Sequence, residues 1–326
     1  MNIDRIAAAA ERLAGHALRT PLLNAPLLDE AAGRRVLVKA ECLQRTGSFK
    51  YRGARSALSA LSGNARERGV LAFSSGNHAQ GVACAAREMG VPAVVVMPGD
   101  APTLKIANTQ AYGAEVVLYD RATEDRDAIG TALAEERGLA LVKPFDNEDV
   151  IAGQGTCGLE IAAQASEAGI GEADVLVPCG GGGLSSGIAL ALEARAPHLR
   201  VRPVEPEGFD DVTRSLVAGT PQVNARMAGS ICDAIVTPAP GRLTFPILQR
   251  LCGPGIAVPD EDALRAVAQA FTLLRIVLEP GGAVALAAAL FHREDDRDVI
   301  VVASGGNLDS AVFRNALNLL GKADLR

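Results

Sequence analysis

What most limits the fold of this chain is a series of short apolar segments, each followed by a stretch with helical spacing. Arg35 to Ala40, Gly69 to Phe73, Pro92 to Met97, Glu115 to Tyr119, Asp174 to Pro178, Arg200 to Val204 and Asp298 to Ala303 read as strands. Helices are expected over 4–18, 52–58, 79–89, 105–112, 124–137, 151–168, 184–194, 261–276, 281–291 and 308–319. Strands that stay apolar along their length have both faces buried, and their alternation with helices is the pattern of parallel sheets covered on both sides. The expected fold class is α/β. At 326 residues the chain is long enough for two lobes with a sizeable core. The stretch 207–259 carries many Gly and Pro residues and reads as irregular.

Composition narrows the function. A net charge of -6 argues against a nucleic-acid surface, and 3% aromatics with no Trp argue against stacking platforms for single strands. Cys42, Cys84, Cys157, Cys179, Cys232 and Cys252 are scattered without a C-x-x-C pair, as expected of small buried residues in a reducing compartment. No long uncharged apolar run is present to span a bilayer, and Met1 leads into a charged amphipathic segment. A soluble, cytoplasmic protein without nucleic-acid or membrane partners is expected.

Three junctions between a strand and a helix stand out. Gly180-Gly181-Gly182-Gly183 lies between a strand end and a helix start, where exposed amides and the helix dipole favour a phosphate. At this loop a G-x-G-x-x-G fingerprint fails, because positions 185 and 186 are both Ser, and the chain has no G-x-x-x-x-G-K-[ST]. Gly183-Leu184-Ser185-Ser186-Gly187 matches the G-x-S-x-G elbow of hydrolases, which leaves Ser185 open as a nucleophile. Ser74-Ser75-Gly76-Asn77-His78 offers hydroxyls, an amide and free N–H groups to a carboxylate, beyond what helix capping needs. Ala303-Ser304-Gly305-Gly306-Asn307 is again a strand end entering a helix, where such sheets place their ligands. Lys50 joins these as a candidate. Apolar Phe49 and cationic Arg52 could favour its neutral amine, though a solvated helix lysine is the alternative.

Taken together, Ser48 to Ala54, Ser74 to Gly81, Ile151 to Thr156, the four glycines and Ser304 to Asn307 carry a resemblance in order and spacing. The chain resembles, over essentially its whole length, the pyridoxal-phosphate enzymes of the serine/threonine dehydratase and serine racemase family, of the tryptophan-synthase-β fold. The resemblance implies a large cofactor-binding domain of residues 1–68 and 145–326, a small substrate-side domain of residues 69–144, and a homodimer. It implies that Lys50 holds pyridoxal 5'-phosphate and acts as the base on Cα. Gly180, Gly181, Gly182, Gly183 and Leu184 would hold the phosphate, Asn77 the ring hydroxyl and Ser304 the ring nitrogen, with Phe49 and Glu279 beside the ring. Ser74, Ser75, Asn77 and His78 would frame the substrate carboxylate, and Arg126 aligns with an arginine that reaches it in the racemase, with a solvated helix arginine in the charged run 124–127 as the alternative.

The implied reaction is elimination of water from a β-hydroxy amino acid such as L-threonine or L-serine, giving a 2-oxo acid and ammonia. Ser75 broadens the choice, because 3-hydroxyaspartate dehydratases and serine racemases resemble this Ser-Ser form. Its hydroxyl would act on the face of Cα opposite Lys50. Glu205, Phe209 and Asp211 match the family's divalent-cation site, with two carboxylates and a carbonyl suited to Mg2+ or Ca2+. An acidic surface turn is the alternative there. The stretches Gly229 to Ala234 and Pro238 to Thr244 depart from the family's serine-rich loops, and Arg242 within them could serve a second carboxylate. Outside this family, the alternatives are a serine hydrolase and a non-catalytic anion-binding protein.

Overall fold

The computed structural model describes residues 1–120, 122–226 and 228–320. Among the described residues ten strands form two sheets: β1 Leu22–Leu23, β2 Val36–Lys39, β3 Val70–Phe73, β4 Ala93–Pro98, β5 Glu115–Tyr119, β6 Ala140–Leu141, β7 Ala173–Pro178, β8 Leu199–Pro206, β9 Ile256–Val258 and β10 Val299–Val302. The larger sheet has the order β1-β2-β10-β7-β8-β9, the smaller β5-β4-β3-β6. Every pairing is parallel except β1 with β2, where Leu22 faces Lys39. The smaller sheet uses only residues 70–141, inside the span 69–144.

The parallel sheets follow from their strands. All of Val36–Lys39, Ala173–Pro178 and Val299–Val302 is buried, so these strands can only sit between two helical layers. One layer is centred on the helix Glu148–Glu167, which Asn147 starts by accepting from the Asp149 and Val150 amides at 2.9 and 3.0 Å. The glycines of Ile151 to Thr156 are explained by packing. A Cβ on Gly153 would lie 2.5 Å from the Arg52 carbonyl, so the helix Lys50–Ala60 rests directly on this one.

Beneath Lys50 the chain buries an ionic cluster. Arg52, 1% exposed, donates to both oxygens of Glu41 at 2.8 Å and to both oxygens of Glu160 at 2.7 and 2.9 Å. Lys39 uses all three of its donors, on Glu160, Gln164 and the Thr20 carbonyl. A charge can leave water only with such partners.

Several boundaries differ from those expected. The first helix stops at Leu13, because the chain then turns through Gly15 at φ 76°. The expected irregular stretch 207–259 contains the helices Asp211–Ala218 and Thr244–Leu251 and the edge strand β9. These elements are short, and the Gly and Pro residues between them mask their periodicity. The helix expected to run to residue 276 ends at Gln269, followed by a π-turn over Ala270–Leu274 and left-handed Arg275. Among the described residues no helix is long and apolar enough to cross a membrane, and all six cysteines are unpaired.

Candidate active site

The candidate residues gather at the carboxyl ends of the parallel strands. Asn77 opens the helix after β3, the glycines follow β7, Glu205 ends β8 and Ser304 follows β10. Lys50 joins them because Ser48 forms a β-bridge with Gly305 and the Phe49 amide donates to the Ser304 carbonyl at 3.1 Å. Parallel sheets leave a crevice at these ends, and ligands bind there.

Lys50 is partly buried, with its ammonium donating to the Pro144 carbonyl at 3.1 Å and lying 5.1 Å from the centre of the Phe49 ring. Burial pushes its pKa down to about 8, against the pull of Glu279. Arg52 is not the cause: its guanidinium turns away to Glu41 and Glu160. The amine is therefore activated by desolvation, with a neutral form accessible near neutral pH.

The glycine loop forms a cup of amides. Gly181 and Gly182 take φ of 72° and 92°, and a Cβ at Gly181 would lie 2.5 Å from the Phe145 ring. The Thr244 hydroxyl and the Gly241 amide both donate to the Gly181 carbonyl, so that oxygen is turned out of the cup. Among the described residues, none of the N–H groups from Gly180 to Ser185 meets a protein acceptor. Unpaired amides of this kind, in a largely buried loop at a helix start, require an anionic partner or water. The cup fits a phosphate.

Across from the cup, Asn77 and Glu279 are both nearly fully buried. The Asn77 amide nitrogen donates to Glu279 Oε1, while its oxygen accepts from Asn307 at 2.8 Å. Burial raises the Glu279 carboxyl, opposed by the Lys105 ammonium 3.3 Å from Oε2. The Ser304 side chain is buried, with no hydroxyl bond to protein among the described residues. Phe49 packs into the core with Leu37, Val175 and Val302.

The substrate-side loop is more varied. The Ser74 hydroxyl accepts from the Gly76 amide at 3.0 Å, and Ser75 is partly exposed with no hydroxyl bond to protein among the described residues. His78 is buried; its Nε2 donates to the Val142 carbonyl at 2.9 Å, which leaves Nδ1 as an acceptor without a partner. Burial and nearby Lys50 push its pKa down to about 3. A neutral ring turned toward Val142 leaves the backbone N–H of His78, at the helix start, as its donor to an anion. Arg126 is exposed and stacks its guanidinium 5.8 Å from the centre of the Phe73 ring, one residue before Ser74.

Glu205 and Asp211 form a second, separate group. Glu205 accepts from the Val212 and Thr213 amides and from the Thr213 hydroxyl at 2.7–2.9 Å. Asp211 accepts from Asn224 at 2.6 Å through Oδ1, and its buried Oδ2 has no partner. Burial, with repulsion from Asp211, pushes Glu205 up to about 8; burial pushes Asp211 up to about 6. Phe209 is buried, and its carbonyl accepts no protein hydrogen bond among the described residues. No group of three or more His, Cys, Asp or Glu side chains placed to hold a metal ion exists among the described residues. Two carboxylates without a basic partner, plus a free carbonyl, nevertheless fit a hard cation that keeps several waters.

The hydrolase alternative finds no support in the geometry. Ser185 is fully buried inside the helix Gly183–Arg195, and its hydroxyl meets no histidine. Phe145, Thr244 and Lys105 shape the site without having been singled out in the sequence. The two that line the cup sit in loops and helix starts whose approach to the glycines no local pattern records. The signal for Lys105 was a lysine on the inward face of its helix, a weak one by itself.

The family model for "Pyridoxal-phosphate dependent enzyme" matches residues 13–306. The chain is 43% identical to an L-threo-3-hydroxyaspartate ammonia-lyase from a Pseudomonas species, over 95% of this chain and 96% of that protein. Its fold superposes on a threonine deaminase from T.th. with a TM-score of 0.89 at 46% identity, covering 95% of this chain and 99% of that one. Maize serine racemase superposes with a TM-score of 0.90 at 34% identity, covering 97% of each chain.

Proposed function

The chain belongs to the family of pyridoxal-phosphate-dependent enzymes and is an enzyme of the ammonia-lyase type, and from that premise we propose which residues act and on what. The cofactor supplies an electron sink that stabilises negative charge at the substrate Cα. The observation that carries the assignment of roles is the pairing of a desolvated Lys50 amine with the amide cup of residues 180–185. The amides of Gly180, Gly181, Gly182, Gly183 and Leu184 hold the phosphate. Lys50 is the attachment point and the base on Cα. Asn77, oriented by Glu279 and Asn307, would bond the ring hydroxyl, and the neutral Ser304 hydroxyl would meet the ring nitrogen without forcing it to carry a proton. Phe49 and Glu279 line the ring.

We assign the substrate carboxylate to the loop Ser74, Ser75, Asn77 and His78, through the amides at the start of the helix Asn77–Met89. The substrate is a β-hydroxy amino acid, and similarity to the Pseudomonas enzyme supports L-threo-3-hydroxyaspartate before L-threonine or L-serine. Arg126, at the mouth of this loop, is the cation offered to a carboxylate. Incubating the holoenzyme with L-serine, L-threonine and both threo-3-hydroxyaspartates, then measuring 2-oxo acid, ammonia and enantiomer ratio, tests this. The hydroxyaspartate is expected to turn over with the highest kcat/KM; a preference for L-threonine overturns the substrate assignment and leaves the reaction class standing.

The unpartnered Ser75 hydroxyl supports racemisation as a side activity. Ser75→Ala is expected to lower turnover of D-substrates and change of enantiomer while sparing L-elimination. Equal loss on both would assign Ser75 to positioning only.

Glu205, Phe209 and Asp211 are proposed to hold Mg2+ or Ca2+. A cation that binds only the folded protein stabilises it by about 2.7 kcal/mol at a hundred times its Kd. Adding millimolar Ca2+ or Mg2+ to chelator-treated protein is expected to raise its melting temperature by several degrees, and Glu205→Gln is expected to abolish that rise. No rise in the unmutated protein would reject the site. The six unpaired cysteines support a cytoplasmic setting. A homodimer is proposed on the resemblance alone, with sedimentation as its check.

A further inference from the structure

Lys105 is the ionisable group at the site that the roles above leave unused. It lies on the helix Thr103–Ala111, between β4 and β5, and so belongs to the part of the chain that builds the smaller sheet. Glu279 belongs to the larger one, immediately before the helix Pro280–Phe291. The Lys105 side chain is 7% exposed and crosses the substrate-side loop at Gly76. A Cβ on Gly76 would lie 2.6 Å from Lys105 Cδ and 3.2 Å from its Nζ, so the loop has been kept bare for this side chain to pass. Beyond Gly76 the ammonium meets Glu279 Oε2 at 3.3 Å and Asp233 at 3.7 Å. The neighbouring face of the same helix borders a cleft of about 730 Å³ lined by Thr103, Leu104, Val277, Leu308, Asp309 and Phe313.

We propose that Lys105 is a positioning residue for the elimination: reaching over Gly76, it pins the Glu279 carboxylate, which in turn fixes the Asn77 amide opposite Lys50. The inference rests on the proposed roles of Lys50 and Asn77. The hydrogen bonds set the direction of control. As a carboxylate, Glu279 accepts from the Asn77 amide nitrogen through Oε1 and from the Lys105 ammonium through Oε2, and the first bond turns the Asn77 oxygen toward the Asn307 donor. A protonated Glu279 carries a donor on one oxygen and accepts without charge on the other, so its hold on the amide is weaker. Burial favours the protonated form of Glu279, and Lys105 is the largest influence opposing it. The other charged groups facing this carboxylate are Asp233, which repels it, and Lys50, whose amine it steadies; Asp309 acts on Lys105 itself. Lys105 also has donors to spare, with one acceptor within 3.5 Å, so the pair is held by charge rather than by a saturated network.

The test uses holoenzymes of the unmutated chain, Lys105→Met, Lys105→Gln, Glu279→Gln and the double variant Lys105→Met/Glu279→Gln. In Lys105→Met a carboxyl without its cation titrates upward, so kcat and the visible spectrum of the bound cofactor should acquire a titration absent from the unmutated enzyme. The acidic side of that titration should be the less active. A misplacement of the site by about 1 Å costs on the order of 100-fold in kcat, the loss expected at neutral pH, with KM changed much less. The double variant should lose no more than the worse single one, and it should lose the added titration because no ionisable group remains at position 279. Lys105→Gln, which keeps much of the packing over Gly76, should show the same titration and guards against a misfolded Met variant. A pH profile and spectrum in both Lys105 variants that superimpose on those of the unmutated enzyme overturn the proposal. So does a double variant whose loss is the product of the two single losses. Failure of the premise reads differently: Lys50→Ala would then remain active.

Discussion

Lys50→Ala is expected to lower kcat/KM for elimination by at least about 10⁴-fold, the upper range for loss of a positioned acid–base group. It is also expected to remove the visible absorbance that a covalently held cofactor gives the unmutated protein. Both effects follow from one side chain because burial moves only the Lys50 amine toward its neutral form; Lys105, buried as well, is kept charged by Glu279 and Asp233. The fold should survive. Among the described residues Lys50 Nζ makes a single bond, to the Pro144 carbonyl, and truncation leaves room rather than an unpaired charge. The melting temperature of the cofactor-free variant should therefore stay close to that of the unmutated protein. A pH dependence follows as well. Burial lowers the Lys50 pKa to about 8, so the amine is mainly protonated below that pH and mainly neutral above it. The rate at which cofactor-free protein takes up pyridoxal 5'-phosphate should rise with pH through about 8. A Lys50→Ala enzyme retaining more than a hundredth of the activity, or a purified protein that stays colourless with the cofactor, would reject the assignment.

Arg52→Ala should damage stability far more than chemistry near neutral pH. The guanidinium neutralises Glu41, which is fully buried and takes its other bond from the Thr20 hydroxyl. Removing one partner of a buried pair costs about 3–5 kcal/mol, because the remaining charge is left without compensation. Here the loss reaches further, since Arg52 also bonds Glu160, Thr156 and the Leu18 carbonyl. For a chain of this size the expected fall in melting temperature is roughly 5–10 °C. Arg52→Lys should recover little of it, as an ammonium cannot bridge Glu41 and Glu160 with five planar donors. The pH dependence has a definite sign. In the folded protein the Glu41 pKa is held below its ordinary value, despite burial, by Arg52. Its contribution is present above the unfolded pKa and is lost as pH falls through the folded one. The stability gap between Arg52→Ala and the unmutated protein, followed by urea denaturation, should accordingly narrow under acid conditions. A variant within 1 kcal/mol of the unmutated protein would show that the cluster relaxes around the deletion.

Much of the site could be read in the sequence because its parts are local. A run of glycines after an apolar strand, or a Ser-Ser-Gly-Asn-His loop opening a helix, carries its backbone geometry within five or six residues. The amide cup at Gly180 to Ser185 has the form such a run dictates, since φ of 72° and 92° with Phe145 against Gly181 and Leu248 against Gly182 leaves no room for a side chain. Other features escaped for a physical reason. The helices Asp211–Ala218 and Thr244–Leu251 are too short to display a full amphipathic period, and the Gly and Pro residues around them point to loops. Strands β1 and β6, of two residues each, exist only through their neighbours.

The role first given to Arg52 shows the same boundary from the other side. Its closeness to Lys50 in sequence suggested that it would depress the lysine, yet two helix positions later the side chain points elsewhere, into Glu41 and Glu160. Sequence alone determined the alternation of buried strands and helices and the run of glycines at a helix start, because each depends on residues a few positions apart. Tertiary structure alone decided which charges meet. Lys105 reaches Glu279 across 174 positions, and Asn77 reaches it across 202. Burial, which moves the Lys50 amine toward its neutral form, belongs to the packed whole, since desolvation is a property of everything around a group and not of its neighbours in the chain.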